Sequence, residues 1–217
     1  MALPNPFIYR ILLLVSPAEF DQINPRICAW HRFDSSLKSD LFSTALATAT
    51  GLFLIDPTPL SDSELNQLPQ MAPIAGIFVT NANHLRASDK LSERFSVPLV
   101  AHEKAFLGQK PARFTAVEAG GLLACGVDVI KIEGAADGEL AIYDPQDGGT
   151  LIVGDALINF EPHGFTFLPR KYCLNEKTMR RSLRQLLAKP AERLLFAHGT
   201  PIVSGASVRL RELLEAA

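Results

Sequence analysis

The 217 residues are poor in several features that usually announce a function. Only three cysteines are present, Cys28, Cys125 and Cys173, and no two have Cys-x-x-Cys spacing, so neither a thiolate zinc cluster nor a redox pair is indicated. Their odd number and wide separation argue against a disulfide framework and suit a reducing compartment. No apolar run approaches the length a membrane span needs. The short apolar run at 11–15 follows Pro4, Pro6 and the lone basic Arg10, so a buried strand is expected there rather than a signal peptide. A formal net charge of −2 offers no basic excess for nucleic acid or an anionic membrane. The chain has no Gly-x-Ser-x-Gly elbow and no phosphate-binding Gly-x-x-x-x-Gly-Lys-Ser/Thr loop. It also has no Pro/Gly/Ser-rich linker, internal repeat or low-complexity stretch. The expectation is therefore a cytoplasmic protein of one domain over residues 1–217, without nucleic-acid or membrane partners. Homo-oligomer formation is left open.

What is present is a mixture of strands and helices. A hydrophobic fraction of 47% and a charged fraction of 20% are those of an ordinary globular chain. Trp30, His31 and Phe33 suggest a strand that turns at Asp34-Ser35-Ser36. Residues 42–50 are ambiguous, because their alanines favour helix and their threonines favour strand. Residues 51–55 and 74–79 are apolar enough for buried strands. Between them, Ser61-x-x-Glu64 spells a capping box at the start of a short helix. Residues 88–95 read as helix and 97–101 as strand, a strand–helix–strand unit that points to a partly parallel sheet. In the second half, 140–143 and 150–155 flank Asp144-Pro145-Gln146-Asp147-Gly148-Gly149, which predicts a hairpin. Asn175 is a good N-cap for a helix to 188, whose arginines 180, 181 and 184 read as a solvated face. Residues 194–197 predict a strand, and 204–215 a closing helix.

Three apolar strands run directly into polar residues: Val79-Thr80 into Asn81, Asn83, His84 and Arg86; Val153-Gly154 into Asp155; Phe196-Ala197 into His198-Gly199. Strand ends gathered at one sheet edge are a common way to build a site. The order Leu54-Ile55-Asp56-Pro57, then Thr80-Asn81-Ala82-Asn83-His84-Leu85-Arg86, then Leu151-Ile152-Val153-Gly154-Asp155-Ala156, then Ala197-His198-Gly199-Thr200-Pro201-Ile202 resembles the metallo-β-lactamase superfamily. The resemblance implies an α/β fold, a four-layer αββα sandwich of two mixed sheets with helices outside, and a site at one edge.

The resemblance transfers the family's metal ligands incompletely. In Thr-His-x-His-x-Asp-His, the first two histidines become Asn81 and Asn83, the aspartate Leu85 and the last histidine Arg86. The next histidine falls on Ala135, whereas the bridging aspartate survives as Asp155 and the final histidine as His198. A carboxamide is a weak neutral ligand, leucine is none, and Arg86 brings a fixed charge. A two-metal hydrolytic centre is not expected. A single divalent ion, zinc or another, on Asp155 and His198 with His84 or a carboxamide stays open, beside a site that needs no cofactor.

The candidate catalytic residues are thus His84, Asp155 and His198, and the candidate ligand-binding residues Asn81, Asn83 and Arg86. Each has a plainer alternative. His84 is a displaced ligand, a general base or a hydrogen-bonded core histidine. Asn81 and Asn83 serve the site or hold a turn. Arg86 either pairs with Asp155 in place of a metal, or caps its strand or pairs with Asp89 or Glu93. His31, His102 and His163 read as structural. Two function classes follow: a hydrolase-like enzyme with a degenerate metal site, or a non-catalytic relative that binds a small molecule or partner protein there.

Overall fold

The computed structural model describes residues 17–216, apart from 67, 69–71, 107, 119 and 120. The strand expected at 11–15 lies outside the described residues. The first sheet has seven strands in sequence order: β1 (Glu19–Asn24), β2 (Ile27–Asp34), β3 (Ser39–Thr48), β4 (Gly51–Ile55), β5 (Ile74–Val79), β6 (Leu99–Ala101) and β7 (Phe114–Ala116). β1 to β4 are antiparallel, and β4 to β7 are parallel. The second sheet uses β8 (Gly121–Leu122), β9 (Asp128–Lys131), β10 (Leu140–Asp144), β11 (Thr150–Val153) and β14 (Arg193–Phe196), in the order β14-β11-β10-β9-β8. β14 pairs parallel to β11, and the predicted β10–β11 hairpin is present. A small hairpin, β12 (Leu157–Phe160) and β13 (Gly164–Phe167), stands apart from both sheets.

The central strands β4, β5, β10, β11 and β14 read as largely apolar runs because both of their faces are covered. Successive side chains point to opposite faces. In β4, Phe53 and Ile55 face the other sheet, while Leu52 and Leu54 face outward. Phe53, Ile55, Phe78, Leu140, Ile142, Ile152 and Leu195 form the core between the sheets. Outside the first sheet, α1 (Asp62–Leu65) and α2 (Ser88–Phe95) pack through Leu65 and Leu91 against Trp30, Leu52, Leu54 and Ile77. Outside the second, α3 (Glu176–Leu183) and α4 (Ala206–Glu215) pack through Met179, Leu183, Leu210 and Leu214. The architecture is the four-layer αββα sandwich. No helix among the described residues is long and apolar enough to cross a membrane, which says nothing of strand-built spans.

Local expectations shifted where tertiary pairing decided. The ambiguous stretch is strand, since β3 pairs with β2 on one side and β4 on the other. The helix after Asn175 is α-helical only to Leu183 and tightens to a 3-10 turn over Arg184–Ala188. The strand expected from 97 begins at Leu99, because Val97 and Pro98 close the turn after α2.

The sandwich positions the site through strand direction. β4, β5, β11 and β14 all end at the same edge and run into Asp56, Thr80, Asp155 and His198 respectively. Backbone hydrogen bonds staple the two sheets there, from Phe42 N to Ala197 O at 3.0 Å and from Leu140 N to Thr80 O at 2.7 Å.

Candidate functional site

Asp56 is the base of the site. It follows β4 in a left-handed backbone conformation (φ 48°) and is 2% exposed. Its carboxylate accepts from Thr80 N at 2.8 Å and Thr80 Oγ1 at 2.5 Å, and meets His84 Nδ1 at 2.9 Å. With Nδ1 turned to Asp56, the buried His84 ring directs Nε2 toward the two other strand ends. That nitrogen lies 3.2 Å from Asp155 Oδ1 and 3.2 Å from His198 Nε2, and His198 Nε2 lies 3.2 Å from Asp155 Oδ1. Three donor atoms from three strand ends thus form an equilateral triangle. His84, Asp155 and His198 are the only His/Cys/Asp/Glu cluster among the described residues spaced to hold a metal ion.

The other Asp155 oxygen is already occupied. Oδ2 accepts from Asn83 Nδ2 at 2.9 Å and Asn81 Nδ2 at 3.2 Å. The buried Asn81 also donates to Glu139 Oε2 at 2.6 Å, while its Oδ1 accepts from Asn83 N at 2.8 Å. Asn81 therefore does hold a turn with its oxygen, and binds two carboxylates with its nitrogen. Glu139, 1% exposed, is tied by its other oxygen to Ala156 N at 3.0 Å.

Charges are arranged accordingly. Burial pushes the His84 imidazole down, but Asp56 and Asp155 outweigh it and carry the pKa up to about 9. Burial pushes Asp155 up, yet His84 and His198 hold it well below the usual carboxylate range. Asp56 lies below its ordinary value for the same reason, the His84 and Arg86 charges overcoming burial. Burial, followed by the Asp155 charge, raises Glu139 to about 8. His198 is lowered, chiefly by burial.

Arg86 does not do what charge alone suggests. Of the readings open for Arg86, neither pairing with Asp155 nor pairing with Asp89 or Glu93 is seen: the guanidinium donates to backbone carbonyls, Phe42 O, Asp56 O at 2.9 Å and Ala197 O at 3.4 Å. It thereby ties β3 to the ends of β4 and β14. Leu85, at the motif's aspartate position, packs against Val79, Leu99, Ala101 and Ala105. Ala135, at a histidine position, is wholly buried in the core beneath α3 and α4.

Two glycines let these parts close up. A Cβ on Gly154 would lie 2.6 Å from Thr80 Oγ1, 2.8 Å from Glu139 Oε1 and 2.9 Å from Asn81 Nδ2. A Cβ on Gly199 (φ +114°) would lie 2.1 Å from Asn159 O.

The remaining histidines stay outside the cluster. His31 stacks on Phe42, His102 caps a 3-10 turn by accepting from Lys104 N, and His163 packs edge-on against Phe160. Sequence reasoning missed Asp56 and Glu139 as site residues. Asp56 stands in the segment Leu54-Ile55-Asp56-Pro57 that helps carry the resemblance, which assigned it no role, and nothing local marks Glu139.

A family model described as metallo-beta-lactamase superfamily matches residues 21–217. A search of curated proteins gave no match. Among solved structures, the chain is similar to DIM-1 metallo-beta-lactamase, with 16% identity and TM-score 0.72 over 93% of this chain and 99% of that one. It is similar to a metallo-beta-lactamase from Pontibacter korlensis, with 15% identity and TM-score 0.70 over 92% and 100%. It is also similar to TTHA1623, solved in a di-iron-bound form, with 24% identity and TM-score 0.57 over 74% and 88%. At these identities the likeness establishes the fold alone.

Proposed function

The chain belongs to the metallo-β-lactamase superfamily, and on that premise we propose a hydrolase-like protein with a degenerate site that holds one divalent ion, zinc or a metal of similar preference, on His84, Asp155 and His198. The carrying observation is the triangle of donor atoms, each 3.2 Å from the other two. Nitrogen and oxygen ligands placed tetrahedrally at ~2.0–2.1 Å from zinc stand ~3.3 Å apart, so the donors already have the spacing of one face of a zinc site. Two imidazoles and one carboxylate are a ligand set of catalytic zinc, and the Asp56 contact to His84 Nδ1 is the outer carboxylate that orients a ligating histidine. Asn81 and Asn83 act here as donors, so they are not counted among the ligands.

A divalent ion in this position supplies Lewis-acid polarisation of a carbonyl or phosphoryl oxygen. The chain's own residues do the rest. Asp56 and Thr80 hold the His84 ring, so its Nε2 lone pair faces the site once that nitrogen is deprotonated. Asn83 and Asn81 saturate Asp155 Oδ2 and leave Oδ1 aimed inward. Arg86 fixes the strand ends that carry Asp56 and His198. His198 and Asn83 reach the solvent side, so a small-molecule substrate meets them first.

The second reading is a non-catalytic relative that binds a small ligand or partner protein at the same place. It is favoured by one observation: with His84 protonated, its two ring nitrogens pair with Asp56 and Asp155, so the site is held together without an ion.

Zinc content of the chain after zinc loading and dialysis separates the two. We expect one equivalent in the wild type and none in His84→Ala or His198→Ala, with Asp56→Asn weakening affinity by about 10- to 100-fold. A wild-type chain that retains no metal would favour the ligand-binding reading.

A further inference from the structure

Glu139 is buried beside the site, and the reading above leaves it without a task. It is held at both oxygens: Oε1 accepts from Ala156 N, next to Asp155 in sequence, and Oε2 accepts from Asn81 Nδ2. Asn81 cannot turn its carboxamide around, because its Oδ1 receives Asn83 N at 2.8 Å and a flipped amide would set two N–H donors against each other. Asn83 N thus sets which end of the carboxamide meets Asp155, and the Glu139 contact holds that end in place from the other side. It is the N–H end, at 3.2 Å from Oδ2.

We propose that Glu139 is a positioning residue that acts through Asn81: by anchoring the Asn81 amide nitrogen it holds that N–H end against the far oxygen of Asp155, and so helps keep Asp155 a one-point ligand in a site for a single ion. This rests on the metal reading above. On the side of Asp155 where position 81 would carry a ligating histidine in the family pattern, the chain places a donor pinned between two carboxylates. A second cation there would find Asn81 and Asn83 nitrogens rather than acceptors. Gly154 makes the arrangement possible, since a Cβ would touch Thr80, Glu139 and Asn81 together.

Glu139→Gln tests this above pH 8, where the wild-type carboxyl is ionised, with little change of shape, because a glutamine has one acceptor oxygen for two donors, Ala156 N and Asn81 Nδ2. Two readouts are needed: zinc stoichiometry and affinity by calorimetry, and hydrogen exchange of the Asn81 side-chain amide by NMR, which requires no metal. Expected are one zinc in the wild type, an affinity about 10- to 100-fold lower in Glu139→Gln, and faster Asn81 exchange. Asn81→Ala, the second variant should Glu139→Gln fail to fold, is expected to lower affinity similarly. The double variant is expected to lose no more than either single, because the two residues act in series. Unchanged Asn81 exchange in Glu139→Gln overturns the proposal whatever the zinc result, as do additive losses in the double variant or two zinc ions in the wild type. A wild-type chain that takes up no zinc, with Asn81 exchange still accelerated by Glu139→Gln, removes the metal reading but supports Glu139 as the group that orients Asn81.

Discussion

His84 shows how much one residue's neighbours decide. In sequence it occupies a position that the resembled motif leaves free, and a core histidine is at least as good a reading as a ligand or a base. Its ring is fully enclosed, as a core histidine's would be, yet Nε2 faces Asp155 and His198. Neither Asp56, 28 residues away, nor Asp155, 71 residues away, could be assigned to it by spacing, because the contacts exist only once three strand ends meet. Gly199 is the converse case, a residue whose need is purely local geometry. Gly199→Ala must place a Cβ against the Asn159 carbonyl at positive φ, so we expect a loss of about 1–3 kcal/mol in urea unfolding. His198 should shift with it, read as weaker zinc binding. An unfolding midpoint equal to wild type would mean that the β12 backbone yields.

At the level of elements, α1 was legible because its signal is short-range. Ser61 and Glu64 form the expected capping box, Ser61 N donating to Glu64 Oε2 at 2.6 Å. The structure adds what sequence could not: Glu64 also receives Ala18 N at 2.6 Å and pairs with Arg32 at 3.2 Å, tying the helix to β2 and the chain before β1. Burial pushes the Glu64 carboxyl up, but the hydrogen bonds from Ser61 and Ala18 and the Arg32 charge leave it below its ordinary 4.5. A carboxyl depressed in the folded state stabilises fully above its unfolded value and loses that contribution as pH falls through the folded one. Urea unfolding of wild type and Glu64→Gln should therefore differ by about 1–3 kcal/mol at pH 7. The gap should close progressively below pH ~4.5. A gap that persists to low pH would assign the effect to side-chain shape rather than charge. β3 was illegible for the opposite reason. Its alanines and threonines carry no decisive propensity, and pairing on both edges made it a strand.

For the whole molecule, the stability of the site depends on the layer that joins the sheets. Phe78 is 1% exposed and stacks on Phe53 at 5.0 Å in the middle of that layer. Phe78→Ala should cost about 3–5 kcal/mol in unfolding free energy, because the cavity lies between two paired sheets that cannot collapse independently. An effect below 1 kcal/mol, about the cost of a single buried methylene, would mean that the sheets are not held by this core.

The sequence alone determined the alternation of strands and helices, the two-faced burial of the strands, and which strand ends carry polar residues, since apolar runs, caps and turn residues act over a few positions. The resemblance it carries also implies changed residues at most of the family's ligand positions, because residue identity settles coordinating ability. Only the tertiary structure decided what replaced them. It turned Arg86 away to backbone carbonyls, brought Asp56 beneath His84, set Glu139 behind Asn81, and closed His84, Asp155 and His198 into one triangle. Such contacts join residues dozens of positions apart, and their geometry follows from how two sheets stack, which no local pattern encodes.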